Sequence, residues 1–107
     1  MTRNIIAILR GVKPSEVLEI SRTIAENGIT QIEVPMNSPD VFDSIQLLHD
    51  EMKDFISVGA GTVTNTKQVK ILEEIGIDFI VSPNFDSKVV EATKQANILS
   101  FPGVITP

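Results

Sequence analysis

Short apolar runs punctuate the chain at Ile5–Leu9, Gln31–Val34, Ile56–Val58, Asp78–Val81 and Ile98–Phe101. Runs this short and largely apolar read as strands. Between them, apolar residues recur at helical spacing: Val17, Ile20 and Ile24; Val41, Ile45 and Leu48; Val69, Leu72 and Ile75; Val89, Ala92 and Ala96. Strand followed by helix, repeated, predicts a parallel sheet, because parallel neighbours need a crossover connection.

The chemistry at the helix ends agrees with that alternation. Pro14 suits a first helical position and is followed by Ser15 and Glu16. Ser38-Pro39-Asp40 reads as an N-cap, an N1 proline and an acid in the first turn. Asn65 precedes Gln68 by three residues, a loose capping box, and Asp86 or Ser87 can cap the fourth helix. Gly28-Ile29 and Gly76-Ile77 stand where a helix should stop and a strand begin. The segments Gly28–Pro35 and Gly76–Pro83 share Gly, Ile, Ile and Pro at matching places, a weak internal repeat. Thr106-Pro107 has the form of a further N-cap and N1 pair.

Composition narrows the function classes. The 107 residues make one domain by size, 42% hydrophobic and 21% charged. A net charge of −5 with no basic stripe, and five Phe as the only aromatic residues, argue against a nucleic-acid surface. The longest apolar run is five residues, too short for a membrane span, and no signal-peptide pattern opens the chain. With no cysteine there is no disulfide, thiolate metal site or Cys nucleophile. These features predict a soluble, cytoplasmic α/β protein without a metal or cofactor.

In parallel α/β sheets chemistry collects at the carboxyl ends of the strands. Glu33 lies within Ile32-Glu33-Val34, where its neighbours point to the opposite face. A carboxylate turned into an apolar interior has its pKa raised into an acid–base range; an exposed edge-strand Glu, or one paired with a structural Arg, fits the spacing as well. Arg10 closes the first strand, and its fork suits a carboxylate or phosphate, although alone it also reads as a solvated loop residue. Gly59-Ala60-Gly61-Thr62 ends the third strand with backbone accessible to a ligand and one hydroxyl, but it is neither a dinucleotide fingerprint nor a Walker loop. His49, the single histidine, falls among Asp50 and Glu51 and is expected at the surface. Lys13, Lys53, Lys67, Lys70, Lys88 and Lys94 all fall in helices or loops, so no strand end carries a nucleophilic amine.

Read together, the pieces IIAILRG, GITQIEVPMNSP, VGAGTV, FIVSPNFDS and FPGVITP resemble the N-terminal half of the 2-keto-3-deoxy-6-phosphogluconate/phosphogalactonate aldolase family. The resemblance implies that residues 1–107 are the first five strands of a (β/α)8 barrel in a homo-oligomer, trimeric in the intact family. It implies metal-independent cleavage, through a Schiff base, of a phosphorylated keto sugar acid to pyruvate and glyceraldehyde 3-phosphate. By the same resemblance Glu33 is the general acid–base, Thr62 touches the pyruvyl carboxylate, and Pro83 and Phe101 line the pocket. Arg10 corresponds to an Arg that grips the substrate carboxylate in the galactonate branch, and Asn37 stands where many gluconate enzymes have Arg, so that branch is favoured. The family's Schiff-base Lys belongs to a sixth strand and its phosphate cradle to the seventh and eighth. The chain alone is therefore expected to be inactive and to present two open sheet edges. Two other readings compete: a self-contained five-stranded flavodoxin-like binding or signalling domain, and a non-catalytic half-barrel scaffold.

Overall fold

A computed structural model describes residues 5–82 and 87–102, the side chains of 82, 101 and 102 excepted. Five strands alternate with four helices: β1 (Ile6–Ile8), α1 (Pro14–Glu26), β2 (Gln31–Pro35), α2 (Val41–Met52), β3 (Ser57–Gly61), α3 (Thr66–Ile75), β4 (Phe79–Ser82), α4 (Ser87–Gln95) and β5 (Leu99–Pro102). Every expected element is present, and no strand boundary shifts by more than three residues. The largest shift is at β3, which runs on through Gly59-Ala60-Gly61 instead of ending before it.

All neighbouring strands are parallel, and their order in the sheet is β1-β2-β3-β4-β5. This order decides between two of the expected architectures. A flavodoxin-like sheet has the order 2-1-3-4-5 and carries helices on both faces. Strands laid down strictly in sequence, each joined by a right-handed crossover, place every helix on one face. The flavodoxin-like alternative is thereby corrected.

The helix-facing side of the sheet supplies Ile32, Val34, Val58, Ala60 and Ile80, all fully buried. They form one core with Val17, Ile45, Leu48, Val69, Leu72 and Val89 from the four helices. Each such aliphatic side chain removed from water contributes about 1.5–3 kcal/mol before entropy is counted. The opposite face is buried at its centre by Phe79 and open at its flanks, where Ile8 is 55% and Leu99 59% exposed. Among the described residues no helix is long and apolar enough to cross a membrane.

The caps follow the sequence at four of the five sites that can be compared. Pro14 occupies N1 of α1, and the Lys13 N–H donates to Glu16 Oε1 at 3.0 Å. Asn65 caps α3 by accepting from the Gln68 N–H at 2.9 Å, and Gln68 Oε1 accepts from the Thr64 N–H. Gly28 and Gly76 both adopt left-handed φ, +90° and +91°, as helix exits require. At α2 the expectation fails. The helix begins at Val41 after Asp40, whose own φ is +48°, and Ser38 caps nothing. Asp86 and Thr106-Pro107 lie outside the described residues.

Candidate active site

Glu33 owes its environment to strand alternation. Ile32 and Val34 belong to the helix-side core, so Glu33 stands on the other face, yet it is only 4% exposed. In register it lies between Ile8 of β1 and Gly59 of β3, and Gly59 in turn pairs with Phe79 of β4. The two β3 glycines form a floor. A Cβ at Gly61 would overlap both oxygens of the Glu33 carboxylate, and one at Gly59 would overlap the Phe79 ring. The absence of side chains on this stretch of β3 is therefore used by the protein's own Glu33 and Phe79. That corrects the expectation that the glycines at the end of the third strand leave their backbone open to a ligand.

Burial pushes the Glu33 carboxyl above its ordinary value of 4.5, and the Arg10 guanidinium pulls in the opposite direction by a smaller amount. Arg10 reaches this position because the Leu9 N–H donates to the Glu33 carbonyl at 2.9 Å, carrying the β1–β2 ladder to the strand end. The chain then turns over Leu9–Val12, closed by the Val12 N–H on the Leu9 carbonyl at 3.4 Å, with Gly11 at φ +78°. Arg10 itself is exposed at the rim.

Thr62 follows Gly61 directly and is half-buried. Its φ of +56° is uncommon for a β-branched residue, and backbone in this region tends to be held where a site demands it. Hydrogen bonds on both sides support it: the Met36 N–H donates to the Gly61 carbonyl, and the Val63 N–H donates to the Val81 carbonyl. Arg10, Glu33 and Thr62 thus gather at the carboxyl ends of three adjacent strands. Phe101 lies on β5 opposite Val81, with its side chain outside the described set. Pro83 lies outside the described residues.

Two residues near the site carry no signal that sequence reasoning could use. Phe79 looks like any strand aromatic until β3 is known to lack side chains beneath it. Ser38 looks like a helix cap, but it is 5% exposed and its hydroxyl accepts from the Gly11 N–H at 3.1 Å. His49 is also not a surface residue. It is half-buried, its Nδ1 has no hydrogen-bond partner, and its ring lies beside Gly76, where an added Cβ would stand 3.4 Å away. A cleft of about 440 Å³, lined by Arg22, Ala25, Glu26, Glu51, Met52 and Phe55, opens at the helix C-terminal ends, opposite the Glu33 rim.

Comparison with known proteins bears on what this rim belongs to. The family model described as "KDPG and KHG aldolase" matches residues 1–107. The chain is 41% identical over 107 residues to the probable 2-dehydro-3-deoxy-6-phosphogalactonate aldolase of Rhizobium meliloti (strain 1021), covering 100% of this chain and 50% of that protein. It is 36% identical over 102 residues to the 2-dehydro-3-deoxy-6-phosphogalactonate aldolase of Escherichia coli (strain K12), covering 95% of this chain and 50% of the relative. A solved structure described as "Native KDPGal structure" superposes with a TM-score of 0.95 at 35% identity, over 99% of this chain and 52% of that one. The chain spans about half the length of the curated relatives it matches. What it shares with that structure is a run of five parallel strands alternating with four helices, part of a (β/α)8 barrel. A family match along its whole length, with the fold to accompany it, establishes that the chain belongs to the KDPG and KHG aldolase family.

Proposed function

We propose that residues 1–107 form the N-terminal half of a barrel domain in a class I aldolase. It cleaves a 2-keto-3-deoxy-6-phospho sugar acid, of the galactonate branch, to pyruvate and glyceraldehyde 3-phosphate. The observation that carries this reading is Glu33: a carboxyl buried at a strand end, with a raised pKa and a guanidinium acting on it. A buried acid whose pKa is drawn toward neutrality can both take and return a proton, which a retro-aldol step requires. The kinship with galactonate-branch relatives supports the choice of substrate.

In this scheme a lysine of a sixth strand, outside residues 1–107, condenses with the substrate ketone and releases water. Glu33 takes the proton of the C4 hydroxyl as the C3–C4 bond breaks. The bonding electrons pass into the iminium to give an enamine, and the aldehyde departs. Glu33 then returns its proton to C3, and hydrolysis of the resulting imine frees pyruvate and the lysine. Arg10 and Thr62, on the strands flanking β2, hold the substrate carboxylate against the imine-forming carbon. By the family resemblance Pro83 and Phe101 are assigned to the substrate pocket, and the active form is an oligomer.

The test is steady-state aldol cleavage by the full-length protein that contains this chain. Glu33→Gln should lower turnover by roughly 10²–10⁴-fold while pyruvate is still trapped by borohydride. Turnover unaffected by that change would remove Glu33 from the reaction. A folded full-length protein without aldol cleavage would leave only the scaffold reading.

A further inference from the structure

Ser38 is the polar residue near the rim whose behaviour neither the helix pattern nor the reaction scheme explains. It lies 27 residues from Gly11 in sequence, yet its Oγ accepts from the Gly11 N–H at 3.1 Å. The same hydroxyl faces the Leu9 carbonyl at 3.5 Å, a longer and weaker contact. Its own backbone is fixed, because the Ser38 N–H donates to the Pro35 carbonyl at 3.0 Å and the Met36 N–H to the Gly61 carbonyl at 2.8 Å. The hydroxyl of a residue only 5% exposed, on an immobilised turn, is thus aimed at the peptide between Arg10 and Gly11.

That peptide is the variable part of the turn. In a four-residue turn closed from Val12 to Leu9, types I and II differ by a flip of the central peptide, and only type II needs positive φ at the third residue. Gly11, at φ +78°, has the type II value. A hydrogen bond to its N–H selects one orientation of the plane to which Arg10 is attached.

We propose that Ser38 is a positioning residue: its hydroxyl locks the Arg10–Gly11 peptide and so holds the Arg10 guanidinium at the rim, where it meets the substrate carboxylate. This rests on the aldolase reading above and assigns to the loop after β2 the control of substrate binding by the loop after β1. Ser38 touches no reacting atom; it acts through Arg10.

The experiment is a double-mutant cycle in the full-length protein with Ser38→Ala, Arg10→Gln and the pair. Ser38→Ala should raise KM roughly three- to tenfold and leave kcat within about threefold, as expected when binding is lost and chemistry is spared. In the Arg10→Gln background the same change should alter KM by less than about twofold, because its intermediary is gone. The acidic limb of kcat/KM should move to higher pH in both single variants. Arg10 is the charged group that acts on Glu33 among the described residues, and it favours the carboxylate. An unchanged KM and limb, or effects that add fully in the pair, would overturn the assignment. Should Ser38→Ala not fold, Ser38→Cys keeps the volume, weakens the acceptor and carries the same expectations. Should the protein cleave no sugar acid, the function reading fails but the latch is still measured. The Glu33 carboxyl titration followed by carbon NMR, without substrate, should shift upward in Ser38→Ala, and an unmoved titration would sink the latch alone.

Discussion

At the scale of single residues, the site is a carboxylate seated on a glycine. Glu33 lies where a Cβ on Gly61 would have to be, so its position depends on a residue with no side chain. Gly61→Ala should push the carboxylate off β3. Since a displacement of about 1 Å can cost roughly 10²-fold in rate, we expect a loss of at least that order in kcat of the full-length protein. A variant that keeps full kcat would mean that Glu33 acts from elsewhere. Burial also links Glu33 to stability. Its native pKa is raised above the ordinary 4.5, so the folded state holds the proton more tightly than the unfolded chain does. The stability it contributes is complete below that ordinary value and is lost as pH rises through the native one. Denaturant melts across that range should show Glu33→Gln gaining on wild type as pH rises, and a constant gap would contradict the burial argument.

At the scale of elements, the same residue types serve different ends according to what they face. Asn65 caps α3 through its side chain, with Gln68 reciprocating toward Thr64. Asn65→Ala should cost about 0.5–2 kcal/mol in chemical denaturation. Ser44 lies fully buried in α2 with an unpartnered hydroxyl, so Ser44→Ala removes a desolvated group and should be neutral or stabilising by about 1–3 kcal/mol. If the two variants lost stability alike, the cap assignment or the unpartnered hydroxyl would be wrong. Ser38, which reads as a cap, is turned away from its helix because Asp40 takes a left-handed conformation and Val41 starts α2 instead.

At the scale of the whole molecule, strand order governs what is covered. Helices on one face bury Ile32, Val34, Val58, Ala60 and Ile80, while the far face exposes Ile8 and Leu99 at its flanks. The outer strands β1 and β5 each pair on one side only among the described residues. Apolar residues beside unpaired backbone are a template for further strand pairing. Residues 1–107 produced by themselves should therefore self-associate in light scattering, and Ile8→Lys should reduce that association. They should also take up no pyruvate under borohydride, because the described lysines sit in helices or at helix ends. A monodisperse monomer with a cooperative melt would show that the open face needs no cover, and a pyruvyl adduct would relocate the chemistry.

The alternation of apolar runs with helical periodicity was enough to determine the βα repeat, the element types and the ends of α1 and α3, because each depends on residues close in sequence. Glu33 stood out for the same reason, as a charge inside an apolar run flanked by Ile32 and Val34. Tertiary structure alone decided the order of strands, and with it the rejection of a two-faced sheet. It also decided that Gly59 and Gly61 accommodate Phe79 and Glu33, that His49 is half-buried against Gly76, and that Ser38 serves Gly11 instead of α2. Each of these depends on which strand lies beside which, a relation between residues twenty or more positions apart that no local period encodes.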